Sequence, residues 1–254
     1  MENVITGNID ITGDFQTDTL LSGYKIIQDR KGFMFGIDAV LLSNFAFSSI
    51  KMRDSGVDLG TGNGIIPLLL VDKVAHITGL EIQQKSAALA QKSVELNNLN
   101  EKIQVMNGDI KNVQTLFAKH AYDFVTSNPP YMISEHGKEN PADEKAIARH
   151  EVLCKLEDVI SAAEYLLKPH GKFFMIHRPF RLAEIFNCLQ KYKLEPKRMC
   201  LVSPFAASEP NLVLIEARKN AQSRLKIEPE IIVYEKPGVY TERVKTIYKE
   251  TALK

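Results

Sequence analysis

Tryptophan is absent from this chain of 254 residues, and cysteine nearly so, with only Cys154, Cys188 and Cys200. An odd number of thiols without a Cys-x-x-Cys pair offers neither a disulfide framework nor a thiolate metal knuckle. They read as reduced core thiols of a cytoplasmic protein. The six histidines make no i, i+4 pair and no zinc spacing, so no metal is expected. The zinc deaminase signature is missing as well, which excludes that route to base chemistry. Long apolar runs are also lacking. The longest, Ile65 to Val71, is interrupted by Pro67 and falls far short of the roughly 20 residues that a bilayer requires. The segment beginning Met1-Glu2-Asn3 shows no basic-then-apolar secretion pattern, and no internal repeat or low-complexity tract is visible.

Strong charge of one sign is lacking too: the formal balance is +1. It conceals an asymmetry, because residues 1–150 carry 14 Lys and Arg against 18 Asp and Glu, whereas residues 151–254 carry 18 against 13. Arg178, Arg181, Lys197 and Arg198 lie close in sequence, and Arg218, Lys219, Arg224 and Lys226 form a second set suited to phosphates. Lys191 and Lys193 read as a solvated helix face. The imbalance is too modest to establish an RNA partner unaided. With 44% hydrophobic residues the chain buries a full core, and one α/β domain with embellishments is expected.

What is present is concentrated at strand ends. Val57-Asp58-Leu59-Gly60-Thr61-Gly62-Asn63-Gly64, followed by Ile65-Ile66-Pro67, reads as a strand, a tight glycine turn and a helix with proline in its first turn. Alternating glycines let the backbone approach a ligand and take positive φ without a Cβ penalty. A dinucleotide fingerprint would need glycine where Ile65 stands, and no phosphate loop ending Gly-Lys-Ser/Thr occurs. Asp58 would repel a pyrophosphate and suits a positively charged ligand such as an amino acid sulfonium. A second strand ends at Glu81, 21 residues after Gly60, an offset like that of ribose-gripping acids in nucleotide-binding βαβ units. A third is read over Ile103 to Asp109, with Asp109 placed to accept from an adenine amino group. A fourth, Tyr122 to Val125, leads into Asn128-Pro129-Pro130-Tyr131. Two prolines end any helix or ladder there and leave a stiff corner with an amide, free carbonyls and a ring. A planar amine such as that of adenine needs those groups: acceptors for two hydrogens and a surface to stack upon. In an open parallel sheet, ligands bind beyond the carboxyl ends of the strands, where all four features fall.

These motifs resemble class I S-adenosylmethionine-dependent methyltransferases of the amino-methylating branch. More narrowly, the chain is similar to the bacterial valine-tRNA adenine-N6 methyltransferase family. Phe33-Met34-Phe35-Gly36-Ile37-Asp38-Ala39-Val40-Leu41-Leu42, the glycine turn, Asn128 to Tyr131, Ala148-Arg149-His150-Glu151, Lys197-Arg198 and Val239-Tyr240-Thr241-Glu242 carry that likeness. The resemblance implies a doubly wound, mostly parallel seven-stranded α/β sheet. Residues 1–50 would form an amino-terminal segment packed over the cofactor site, 51–220 the core, and 221–254 an extension of the same domain. It implies S-adenosylmethionine as cofactor and RNA, most narrowly tRNA, as partner. Cofactor contacts would come from Phe35, Asp38, Asp58, Gly60, Thr61, Gly62, Gly64, Glu81, Ile82, Asp109, Ile110 and Asn128. Catalytic roles would fall to Asn128, Pro129 and Tyr131, and substrate contacts to Pro130, Tyr131, Arg149 and His150. A glutamine-directed protein methyltransferase would use the same Asn-Pro-Pro-Tyr chemistry, but the residues before Asp58 do not read as that branch's helical amino-terminal domain. DNA adenine methylation and a non-catalytic RNA-binding module are the other readings.

Outside the motifs, residues 1–50 read as an extended or hairpin start, then a helix with Asp38 as its N-cap. Helical periods run through Ala87, Ala90 and Val94; through Val159, Ile160, Ala163, Leu166 and Leu167, stopped by Pro169 and Gly171; and through Leu182, Ile185, Phe186 and Leu189. Lys172 to Ile176, Met199 to Val202 and Leu212 to Glu216 read as the remaining strands, one of them antiparallel. Ile231 to Tyr234 with Val239-Tyr240 read as an appended hairpin before a terminal helix. The polar run Ile133 to Ala146 reads as a lid or binding loop.

Overall fold

A computed structural model describes residues 14–30, 34–129 and 154–252. Two strands, β1 (Phe15–Thr19) and β2 (Lys25–Asp29), form the expected opening hairpin, followed by helix α1 (Ile37–Phe47). The central unit then runs β3 (Ser55–Leu59), α2 (Ile65–Leu70), β4 (His76–Glu81), α3 (Gln84–Leu96), β5 (Ile103–Asn107), α4 (Val113–Leu116) and β6 (Tyr122–Ser127). After the Asn-Pro corner come α5 (Leu156–Leu166), β7 (Leu167–His177), α6 (Leu182–Lys191), β8 (Leu194–Ser203) and β9 (Leu212–Lys219). Short strands β10 (Lys226–Ile227), β11 (Ile231–Ile232), β12 (Tyr234–Lys236) and β13 (Val239–Tyr240) precede α7 (Glu242–Glu250).

The seven long strands lie in the order β8-β9-β7-β6-β3-β4-β5, with β10 and β11 added along β8. Every pair from β7 to β5 is parallel, and β9 is antiparallel to both its neighbours. Chain order reverses around β3: β4 and β5 fan to one side, β6 and β7 to the other. That is the topological switch point at which such sheets open a crevice. Side chains alternate across the sheet, as period-2 strands require. Phe124, Phe174 and Ile176 pack under α1, α2 and α3, while Val125, Phe173 and Met175 pack under α5 and α6. Both faces are buried, hence the unbroken apolar strands.

Four expectations change in detail. Helix α1 has Gly36 at its N-cap, two residues before the expected cap Asp38, so Asp38 lies in the first turn. The third strand stops at Asn107, because Asp109 caps the 3-10 turn Ile110–Asn112 by accepting from Lys111 N at 2.9 Å. Leu167, Pro169 and Gly171 belong to β7 rather than to a helix end. The β6–β7 ladder pairs Tyr122 with Leu167 and resumes at Phe124 with Lys172; the surplus residues, with His170 at φ 64, bulge outward. Ile231–Ile232 pairs with β8, and only Tyr234–Lys236 forms the hairpin with β13.

The opening hairpin lies on α3, where Ile27 N donates to Ser93 Oγ at 3.0 Å and Lys25 N to Asn97 Oδ1 at 2.8 Å. At the other end α7 docks on α1, with Asn44 Nδ2 donating to Glu250 Oε2 at 2.9 Å. Rings from this carboxyl-terminal part stack in series. Tyr234 and Tyr240 lie 5.2 Å apart at 16°, Tyr240 and Tyr248 5.5 Å apart at 28°, and Phe205 leans on Tyr234 at 5.7 Å. No helix among the described residues is long and apolar enough to cross a membrane.

Candidate active site

The glycine turn leaves β3 at the switch point with Gly60, Gly62 and Gly64 at φ 74, 59 and 84. Gly60 N and Thr61 N donate to Leu80 O at 2.9 and 3.0 Å, so the turn is tied to the neighbouring strand. A Cβ placed on Gly60 or Gly62 would meet nothing within 4 Å, so open space lies above the turn. Gly64, left-handed, caps α2, and Pro67 sits in that helix's first turn without breaking a bond.

Glu81 ends β4 beside this turn and is nearly buried. Its Oε2 accepts from Gly62 N at 2.9 Å and its Oε1 from Gln83 N at 2.8 Å. Fixed this way, the carboxylate keeps unused lone pairs for a ligand hydroxyl. Ile82 follows it and stays 38% exposed, an apolar surface facing out at the cleft rim. Asn107 clamps the rim, donating to Glu81 O at 2.8 Å and Ile82 O at 3.1 Å. Asp109 and Ile110 complete the edge in half-buried positions, with Lys111 Nζ 3.7 Å from Asp109.

Asp58 lies beneath the turn and is fully buried. Its Oδ1 accepts from Thr126 Oγ1 at 2.7 Å, while Oδ2 faces the Thr61 hydroxyl outside hydrogen-bond geometry. Burial dominates over the two hydroxyls and pushes its carboxyl up to about 6. A carboxylate kept this dry gains most from a nearby positive charge. The chemistry of the donor set therefore fits a cationic ligand with ribose hydroxyls, as the sequence motifs imply.

Across the cleft, β6 ends in Ser127, and Asn128 follows it. Ser127 Oγ donates to Leu59 O at 2.9 Å, locking β6 to β3. Asn128 Nδ2 donates to Asp38 Oδ2 at 3.0 Å, and Asp38 Oδ1 accepts from Ala39 N at 3.0 Å. The first turn of α1 thus holds the amide by its N–H side. Phe35 N donates to Gln28 Oε1 at 3.0 Å, and the same oxygen takes Asn63 Nδ2 at 3.3 Å. Gln28 therefore couples the opening hairpin, the segment before α1 and the glycine turn.

The structure brings Phe35, Asp38, Asp58, Gly60, Thr61, Gly62, Gly64, Glu81, Ile82, Asp109, Ile110, Asn128 and Pro129 to the carboxyl edge of one sheet. Pro130, Tyr131, Arg149, His150 and the run Ile133 to Ala146 lie outside the described residues. Sequence reasoning missed Gln28, Thr126, Ser127 and Asn107, single polar residues inside strands that carry no motif of their own. Cys200 is buried as expected, but Cys154 and Cys188 are only half-buried. Burial pushes these two thiols up to about 12 and about 11, away from nucleophilic chemistry.

Sheet order and a glycine turn at the switch point define a Rossmann-like α/β fold. The chain belongs to the methyltransferase small domain family, which matches residues 37–191. A protein of Porphyromonas gingivalis described as tRNA1(Val) (adenine(37)-N6)-methyltransferase is 28% identical over 86% of this chain and 88% of its own length. One of the same description from Dyadobacter fermentans is 27% identical over 89% and 94%. Among solved structures, a predicted O-methyltransferase from Agrobacterium tumefaciens superposes with a TM-score of 0.67 at 22% identity, covering 85% of this chain and 98% of that one, and it bears on the fold alone.

Proposed function

We propose that this chain transfers a methyl group from S-adenosylmethionine to the exocyclic N6 amine of an unpaired adenine in tRNA. The observation that carries this reading is the Asn128 amide, held by Asp38 at 3.0 Å just after β6, the strand beside the one that leads into the glycine turn. The relatives described as tRNA adenine-N6 methyltransferases support the same substrate class. In this reading residues 1–50 cover the cofactor site, 51–220 form the core and 221–254 extend it.

S-adenosylmethionine, when bound, supplies a methyl group on a cationic sulfur, an already activated donor. Asp58 and the glycine turn would hold its amino acid end, Glu81 its ribose hydroxyls, and Ile82, Asp109 and Ile110 its base, with Phe35 alongside. Chain residues then act mainly on the acceptor. The exocyclic lone pair of adenine is delocalised into the ring and must be freed. Asn128 Oδ1 and the Pro129 carbonyl accept the two N–H bonds of the amine and favour its pyramidal form. No strong base is needed, because the nitrogen becomes acidic as it is alkylated. Tyr131 is assigned beneath the base, and Pro130, Arg149 and His150 to the substrate side, on sequence grounds. The base must arrive unpaired or flipped out.

The test is transfer of labelled methyl from S-adenosylmethionine to total RNA, DNA and protein from a host lacking the gene. Label in tRNA recovered as N6-methyladenine is expected. Label in protein glutamine or in DNA would overturn the assignment. Asn128→Ala should lower kcat by about 10²–10³ while cofactor affinity changes little.

A further inference from the structure

One side chain on the acceptor side of the cleft is left in water without a structural reason. Among the described residues, Phe180 is the one aromatic that remains exposed, at 70%. It sits in the turn Pro179–Arg181, directly after β7. Strand β7 is the parallel neighbour of β6, with Ser127 opposite Met175. Continuing that register places Pro129 beside His177, one strand spacing away, about 4.8 Å. Phe180 therefore emerges from the same carboxyl edge as Asn128, on the far side of the switch point from the glycine turn.

The turn that carries it is built rather than loose. His177 is buried, and its Nδ1 accepts from Arg178 N at 2.7 Å. Arg178 Nη1 donates to Asn211 O at 3.1 Å, and Arg181 N to Arg178 O at 3.2 Å. Arg181 grips Glu184 through both Nε and Nη2, at 2.8 and 2.6 Å. Proline fixes the position before the ring. The result is an exposed aromatic side chain carried on a turn that Arg178 and Arg181 pin in place.

Resting on the proposed RNA substrate, we infer that Phe180 is the stacking platform for an unpaired nucleobase next to the target adenine. Every base offers a π-face, so the platform fixes the position of the strand without reading its sequence. Neighbouring nucleotides are thereby held while the target base turns toward Asn128.

The experiment uses the full chain and Phe180→Ala, Phe180→Leu and Phe180→Trp variants. Its RNA is an unmodified transcript of the tRNA that wild-type protein labels, made with 2-aminopurine on the 5′ or the 3′ side of the target. Alanine and leucine are expected to raise KM for RNA about tenfold and to abolish the quenching of one of the two probes. Tryptophan should restore both. Melting temperature, S-adenosylmethionine affinity and kcat at saturating RNA should stay at wild-type values. A KM unchanged in Phe180→Ala, or fully restored by leucine, overturns the platform while leaving the methyltransferase reading intact. Wild-type protein that labels no RNA overturns the functional reading and the platform with it.

Discussion

Asp38 does its work on another side chain. It touches Asn128 through one carboxylate oxygen and its own helix turn through the other. An amide in a cleft can present either end to a substrate, and only the oxygen end accepts from an amine. Removing the partner that takes the N–H end takes away one restraint on which end of the amide meets a substrate. Asp38→Ala is therefore expected to lower kcat roughly 10- to 100-fold, the scale of one hydrogen bond to a charged group, with KM for S-adenosylmethionine changed less. Asp38→Asn, whose carbonyl still accepts, should recover most of the rate. Steady-state kinetics of the two variants checks this, and equal rates for Asp38→Ala and wild type would show that the amide is oriented by something else. The sequence marked Asp38 for this neighbourhood but gave it the job of helix cap. Helix starts shift by a residue or two, and nothing in the local pattern announces a partner 90 positions away.

At the scale of elements, the turn between β3 and α2 sets the shape of the cleft floor. Gly64 combines φ 84 with an Ala90 Cβ that would lie 3.1 Å from any added methyl. Gly64→Ala should cost about 1–2 kcal/mol in stability and weaken S-adenosylmethionine binding, both readable by thermal shift with and without ligand. Gly79 is the subtler case. It lies in β4, outside the turn, yet a Cβ there would fall 2.8 Å from Thr61 Oγ1. Gly79→Ala should displace Thr61 and lower cofactor affinity although Gly79 is no ligand contact; unchanged affinity by calorimetry would count against a rigid turn.

Much of this level was legible beforehand. Glycine spacing, the Asn-Pro corner and apolar strands with period-2 faces gave strand identity and the sheet edge at which the candidate residues gather. Strand ends were less legible. The bulge that carries Pro169 and Gly171 into β7 depends on pairing with Tyr122, and the addition of Ile231–Ile232 to β8 is likewise a tertiary outcome. Local propensity sees neither.

At the scale of the molecule, two buried ionisable groups act oppositely on stability. Burial raises Asp58 to about 6. Its contribution is full below the unfolded carboxylate value near 4 and is lost as pH rises through about 6. Burial, with help from Arg181, lowers His177 to about 4. Its contribution is full above the unfolded imidazole value of about 6.5 and is lost as pH falls through about 4. Each is worth on the order of 3 kcal/mol, so over pH 4–6.5 the two largely cancel. Asp58→Asn should therefore leave a protein whose melting temperature climbs with pH across this window. His177→Gln should leave one whose melting temperature declines. Melting curves collected every half unit of pH test both slopes, and parallel profiles for wild type and variants would refute the balance.

The face-to-face phenols of Tyr234, Tyr240 and Tyr248 have an optical consequence. With no indole in the chain to mask them, coupled transitions of these rings add to the near-ultraviolet circular dichroism a tyrosine contribution that depends on the last helix staying docked against the β12–β13 hairpin. Its disappearance ahead of the far-ultraviolet signal on warming would mark the carboxyl-terminal helix as the first part of the molecule to let go.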